Sequence, residues 1–93
     1  MIEVNEYFDG NVKSMALENE DGKATVGVMA AGEFEFGTTT VEYMTVVSGS
    51  MTVLLPGDTE WKTYSPFQTF VVPANTRFKL KLEKPAAYRC LYK

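Results

Sequence analysis

Histidine is absent from this sequence of 93 residues, and cysteine occurs once, at Cys90. The first absence removes the commonest general acid and base near neutral pH and the commonest metal ligand. With so few thiols as well, an ordinary zinc site cannot be assembled within one chain, and a Ser–His nucleophilic pair is equally excluded. No metal and no resident cofactor are expected. A lone cysteine cannot close an internal disulfide, which points to a reducing compartment rather than a stapled secreted scaffold. No apolar run approaches the roughly 18 residues of a membrane span. The first ten residues carry Glu3, Glu6 and Asp9 where a signal peptide has its basic start. A cytoplasmic protein without a membrane partner is the expectation. Positive charge is also scarce: nine Lys and Arg stand against twelve Asp and Glu, for a net charge of -3. With no basic run, nucleic acid is not an expected partner. Neither common Gly-rich phosphate loop occurs.

What is present suits a folded domain. Apolar residues make up 45% of the chain and aromatics 13%, enough for one core spanning residues 1–93 as a single domain. The apolar period is two rather than 3.6, and Gly, Pro, Asn and Asp punctuate short segments about ten residues apart. Strands are predicted at Val12–Leu17, Ala24–Met29, Gly32–Phe36, Glu42–Ser48, Met51–Leu55, Thr59–Thr63, Thr69–Val72, Phe78–Leu82 and Ala87–Tyr92. Asn19–Gly22 and Pro56–Asp58 read as tight turns, and Ser48-Gly49-Ser50 as a hairpin connection. The fold class is all-β, a sandwich or small barrel.

Alternation assigns faces. Phe78, Leu80 and Leu82 face the core, with Arg77, Lys79, Lys81 and Glu83 in water. Tyr88, Cys90 and Tyr92 share an inner face, which makes Cys90 a buried structural thiol rather than a nucleophile. Glu42 shares a face with Met44 and Val46, an ionisable group among apolar neighbours. Its alternative is a solvated carboxylate paired with Lys13. Lys13 shares a face with Met15 and Leu17 and is expected beside apolar side chains, as an anion-seeking ammonium or a snorkelling lysine.

From Gly32 the sequence runs GEFEFGTTTVEYMTVVSG, in which Glu42 and Gly49 fit the E-x6-G ending of the first cupin motif. Phe70–Phe78, FVVPANTRF, is similar to the second, with Asn75 where that motif usually has Gly. Asn tolerates the left-handed backbone such a position demands. At the four positions where a metal cupin holds its ligands this chain has Phe36, Thr38, Glu42 and Phe78, so the resemblance is to a jelly-roll cupin barrel without its metal.

Further segments recur in order: NEYFDGNVKS at Asn5–Ser14, EYMTVVSG at Glu42–Gly49, VLLP at Val53–Pro56 and YRCLY at Tyr88–Tyr92. Together they resemble the small pyrimidine/purine nucleoside phosphorylase family across nearly the whole chain. The resemblance implies phosphorolysis of purine and pyrimidine ribonucleosides to a free base and α-D-ribose 1-phosphate, with inorganic phosphate as co-substrate. Such chemistry asks the protein to hold a phosphate dianion, support an oxocarbenium-like ribose and stabilise the departing base. Glu42 and Lys13 are the expected catalytic pair. Lys13, Arg77 and Arg89 are candidates for phosphate, the arginines facing outward unless a second chain uses them. Phe36, Tyr43, Phe78, Tyr88, Tyr92 and Trp61 could stack on a base without discriminating between bases, and Thr38 and Thr45 could donate to ribose or phosphate. Open strand edges lead to the expectation of a homodimer. Two other readings remain at this stage: a cupin-like small-molecule-binding module without chemistry, and a purely structural β domain.

Overall fold

A computed structural model covering residues 1–93 contains ten strands and no helix. They are β1 (Val4–Tyr7), β2 (Val12–Asn19), β3 (Gly22–Met29), β4 (Gly32–Gly37), β5 (Glu42–Ser48), β6 (Met51–Leu54), β7 (Lys62–Tyr64), β8 (Thr69–Val72), β9 (Arg77–Leu82) and β10 (Ala86–Tyr92). Every pairing is antiparallel, in a six-stranded sheet ordered β1-β2-β3-β10-β5-β8 and a four-stranded sheet ordered β4-β9-β6-β7. The two inner faces pack on one cluster of 15 buried residues, with Met29, Met51, Leu80, Val46 and Val72 among its most enclosed members. This is the two-layer arrangement of a jelly roll, as the strand spacing implies.

Eight of the nine expected strands fall within a residue or two of their observed bounds, because apolar alternation and burial coincide in them. Thr59–Thr63 is displaced to Lys62–Tyr64, since a four-residue β6 offers only Met51, Thr52 and Val53 as partners. One strand was not foreseen. Val4–Tyr7 is exposed along nearly its whole length and pairs only with β2, so it carries no burial period to read.

Ser48-Gly49-Ser50 is not a hairpin, because β5 and β6 lie in different sheets. Gly49, at φ +81°, turns the chain from one layer to the other, and a Cβ there would stand 3.0 Å from the Pro85 carbonyl oxygen and 3.1 Å from the Ala86 Cβ. Asn75 does take the left-handed conformation, at φ +57°. The turn it belongs to is tied to the loop after β4: the Thr38 hydroxyl donates to the Pro73 carbonyl oxygen (2.6 Å) and accepts from the Thr76 amide (3.1 Å).

The faces of β2 run opposite to expectation. Val12 and Ser14 point into the core, while Lys13, Met15 and Leu17 are on the outer face. Apolar residues on that outer face made the two sides hard to tell apart. The reversal places Ser14 beside Gly27, its partner on β3, and Gly27 in turn opposite Tyr88 on β10. The Tyr88 ring lies against bare backbone there. A Cβ at Gly27 would sit 2.8 Å from the Tyr88 hydroxyl and 2.5 Å from the Lys13 carbonyl oxygen. Gly27→Ala is therefore expected to destabilise the fold by about 2 kcal/mol or more, the cost of forcing volume into packed space. Chemical denaturation checks this, and an unchanged midpoint would show that Tyr88 can move aside freely.

Candidate functional site

Between the sheets, at the side where β1 and β4 form their edges, the core stops short and leaves a cavity of about 120 Å³. The inner row of β10 supplies Tyr88, Cys90 and Tyr92, and that of β5 supplies Glu42 and Met44. Ser14 and Met29 close the floor, Phe36 and Phe78 form the opposite wall from the four-stranded sheet, and Tyr7 of β1 stands at the edge. Phe36 and Phe78 are stacked with centroids 5.9 Å apart, and Tyr7 meets Phe36 edge to face at 6.3 Å. Tyr7 is followed by Phe8, Asp9 and Gly10, all at positive φ, in a turn that lays the Phe8 ring on Phe34 and Phe36.

The polar groups of this cavity are connected. Cys90 Sγ donates to Glu42 Oε1 (3.4 Å), and the hydroxyls of Tyr92 and Thr25 share a hydrogen bond of 3.1 Å. Burial raises the pKa of Glu42, with the bond from Cys90 opposing the shift. Burial also pushes the Tyr88 phenol up to about 12, against a bond from Ser14, and raises the Cys90 thiol and the Tyr92 phenol. Near neutral pH the Cys90 thiol and the Tyr88 and Tyr92 phenols are thus protonated, and Glu42 is the one carboxyl group in the cavity. A carboxylate so placed can accept hydrogen bonds from a diol or face a developing cation, while the rings offer a flat apolar surface.

The structure gathers Glu42, Phe36, Phe78, Tyr88 and Tyr92 in one place. It sends other candidates elsewhere. Tyr43 and Thr45 occupy the outer face of β5, where Thr45 shares a hydroxyl bond with Thr69 (2.8 Å). That follows from the alternation that turns Glu42 inward. Thr38 is buried in its loop clamp and does not line the cavity. Lys13 is not set among buried side chains: its side chain is 57% exposed and pairs with Glu6 at 3.3 Å. Arg77 pairs with Glu35 at 3.5 Å on the outer face of the four-stranded sheet, and Arg89 is exposed on the outer face of the six-stranded one. Trp61 lies outside as well, under the Lys81 ammonium at 4.3 Å. Tyr7 and Ser14 were not foreseen as cavity residues. Only the NEYF segment hinted at the first, and the second was hidden by the reversed face of β2.

A family model described as pyrimidine/purine nucleoside phosphorylase matches residues 2–92. A curated relative of that name from Pseudomonas aeruginosa is 55% identical over 93 residues, the whole of both chains. Among solved structures, a protein of unknown function from Vibrio parahaemolyticus superposes with a TM-score of 0.96 at 41% identity, covering 100% of this chain and 99% of its own. An RmlC-like cupin from Shewanella frigidimarina superposes with a TM-score of 0.75 at 20% identity, covering 96% of this chain and 80% of its own. The last likeness concerns the fold, which is cupin-like.

The raised pKa of Glu42 has a consequence for stability. Between its unfolded value near 4.5 and its higher folded value, the folded state binds more protons, so stability falls as pH rises through that window. Glu42→Gln keeps an acceptor for Cys90 and removes the buried charge. Its melting temperature is expected to exceed that of the wild type at pH 8, with the gap closing below pH 4.5. A gap independent of pH would show that Glu42 is held without a desolvation cost.

Proposed function

The chain belongs to the pyrimidine/purine nucleoside phosphorylase family and is a nucleoside phosphorylase; we propose that it takes purine and pyrimidine ribonucleosides alike, releasing free base and α-D-ribose 1-phosphate, without a metal. The observation that carries this reading is Glu42, a chargeable carboxylate held half-buried beside stacked aromatic walls. In this scheme a phosphate oxygen attacks the anomeric carbon as the glycosidic C–N bond breaks. The bonding pair leaves on the base nitrogen, which takes a proton from solvent. Glu42 accepts hydrogen bonds from the ribose hydroxyls and faces the positive charge that develops on the sugar. Phe36, Phe78, Tyr88 and Tyr92 supply contact area that no particular base edge is needed to satisfy, which suits broad specificity.

Metal independence is supported by the donor set. Phenylalanine and threonine occupy three of the four cupin ligand positions, at Phe36, Thr38 and Phe78, and no three carboxylates or thiols converge elsewhere. A lone buried thiol, Cys90, suits the cytoplasm. We also propose a homodimer through the outer face of the six-stranded sheet. Val4, Met15, Val26 and Val28 are exposed there on three adjacent strands, and Val4 pairs with Met15 and Met15 with Val26 in register. Such a contiguous apolar face fits a self-complementary interface.

Chelator-treated protein incubated with uridine or adenosine is expected to release base and ribose 1-phosphate only when phosphate is present. Glu42→Gln should lower turnover about a hundredfold or more with the fold intact, the scale on which a single electrostatic contact to a transition state acts. Release without phosphate would make the protein a hydrolase, and binding without turnover a non-catalytic module. Normal turnover in a folded Glu42→Gln protein would remove Glu42 from the mechanism. For the interface, Val26→Asp is expected to convert the dimer to a monomer in sedimentation velocity. A wild type that sediments as a monomer would overturn the pairing.

A further inference from the structure

No cation lines the 120 Å³ cavity, and its volume lies below the roughly 300 to 1,000 Å³ usual for a small-molecule site. It does not end at its own walls. Tyr7 and Tyr92 also line a second, more open groove of about 620 Å³, so the two spaces meet at this pair of rings. The groove has a different chemistry: Thr25, Thr39, Thr40 and Asn5 bring hydroxyl and amide donors, and Lys23 is its one cationic side chain.

Strand register fixes where that lysine stands. On the inner face of the six-stranded sheet, Glu42 is directly opposite Tyr92. Leu91 is opposite Ala24, so Lys23 is the next residue of β3 in line with Tyr92. Lys23, Tyr92 and Glu42 thus form a single cross-strand row, with Lys23 and Glu42 two strands apart, a backbone separation of roughly 10 Å. A phosphate held at one end and a ribose held at the other would lie in neighbouring positions along this row.

Resting on the phosphorolysis reading above, we propose that this groove is the phosphate subsite and that Lys23 is the residue that binds the dianion, with hydroxyls of Thr39 and Thr40 completing it. Lys23 is exposed and forms no ion pair, whereas Lys13 and Arg77 are each committed to a carboxylate and Arg89 is on the outer face. Two carboxylates, Glu3 and Glu18, also line the groove, Glu18 directly across from Lys23 in the β2–β3 register. They oppose an anion, so the subsite depends on the lysine and the donors rather than on a general positive field.

Phosphate kinetics and phosphate binding test this separately. Lys23→Met is expected to raise the KM for phosphate at least tenfold with the KM for uridine and the melting temperature unchanged, and Glu18→Gln to lower the KM for phosphate. Lys13→Met should leave it unaltered. In the full-length wild type without nucleoside, titration with inorganic phosphate should shift the amide resonances of Lys23, Thr39 and Thr40, a response lost in Lys23→Met. Phosphate-dependent turnover with no shift at these amides, or an unchanged phosphate KM in Lys23→Met, would overturn the subsite and leave the phosphorolysis reading standing. Shifts at these amides in a protein that consumes no nucleoside would support the subsite and overturn that reading.

Discussion

Holding Glu42 half out of water is the constraint around which the interior is arranged. A carboxylate in that setting needs an acceptor's partner and a reason not to be solvated, and the neighbouring strand supplies both. Cys90 donates to it from β10, while Met44, Phe36 and Phe78 limit the water that can reach it. The thiol and phenols nearby stay neutral because burial raises their pKa values too. The cavity therefore holds a single carboxyl group, Glu42, among neutral neighbours. A sugar acquiring positive charge gains from such a group only if it is already in place before the reaction begins, so that no reorganisation is required as charge develops.

The backbone makes this possible by leaving something out. Gly27 has no side chain where Tyr88 lies down, and the ring occupies the space between β2 and β10 that a Cβ would fill. Burial of the Tyr88 hydroxyl then follows from strand packing, and Ser14 satisfies it. The same economy governs the loop at the far end of β4. The Thr38 hydroxyl ties the turn after β8 to the loop after β4, bonding to Pro73 and Thr76.

Much of this was legible in the sequence, for reasons that also mark where legibility ends. β5, β8, β9 and β10 show a clean alternation because one side is core and the other is polar, so their bounds and faces can be read directly. Alternation gave Glu42, Phe78, Tyr88 and Tyr92 the inner faces of their separate strands, and the resemblance joined them in one site, while Tyr43 and Thr45 were counted as contacts in spite of their alternation. β2 misled because its outer face is apolar: Met15 and Leu17 carry the same signal as a core row, and periodicity cannot say which side is inside. Tyr7 was invisible for the opposite reason, since β1 has almost no buried residue. The two errors compounded, because β1 and β2 together bring Tyr7 and Ser14 to the cavity, and no local pattern records a contact made between sheets.

The Tyr7 wall belongs to a short edge strand. β1 is paired on one edge only and is followed by three residues in the left-handed region, where Phe8 and Asp9 bear side chains that disfavour it. Its hydrogen bonds thus break at a lower free energy than those of β3 or β10 deep in the sheet, giving the molecule a local opening mode distinct from global unfolding. Tyr7 and the Glu42–Cys90 pair then lie on segments of unequal local stability, the first on a strand with one neighbour and the second between strands paired on both sides.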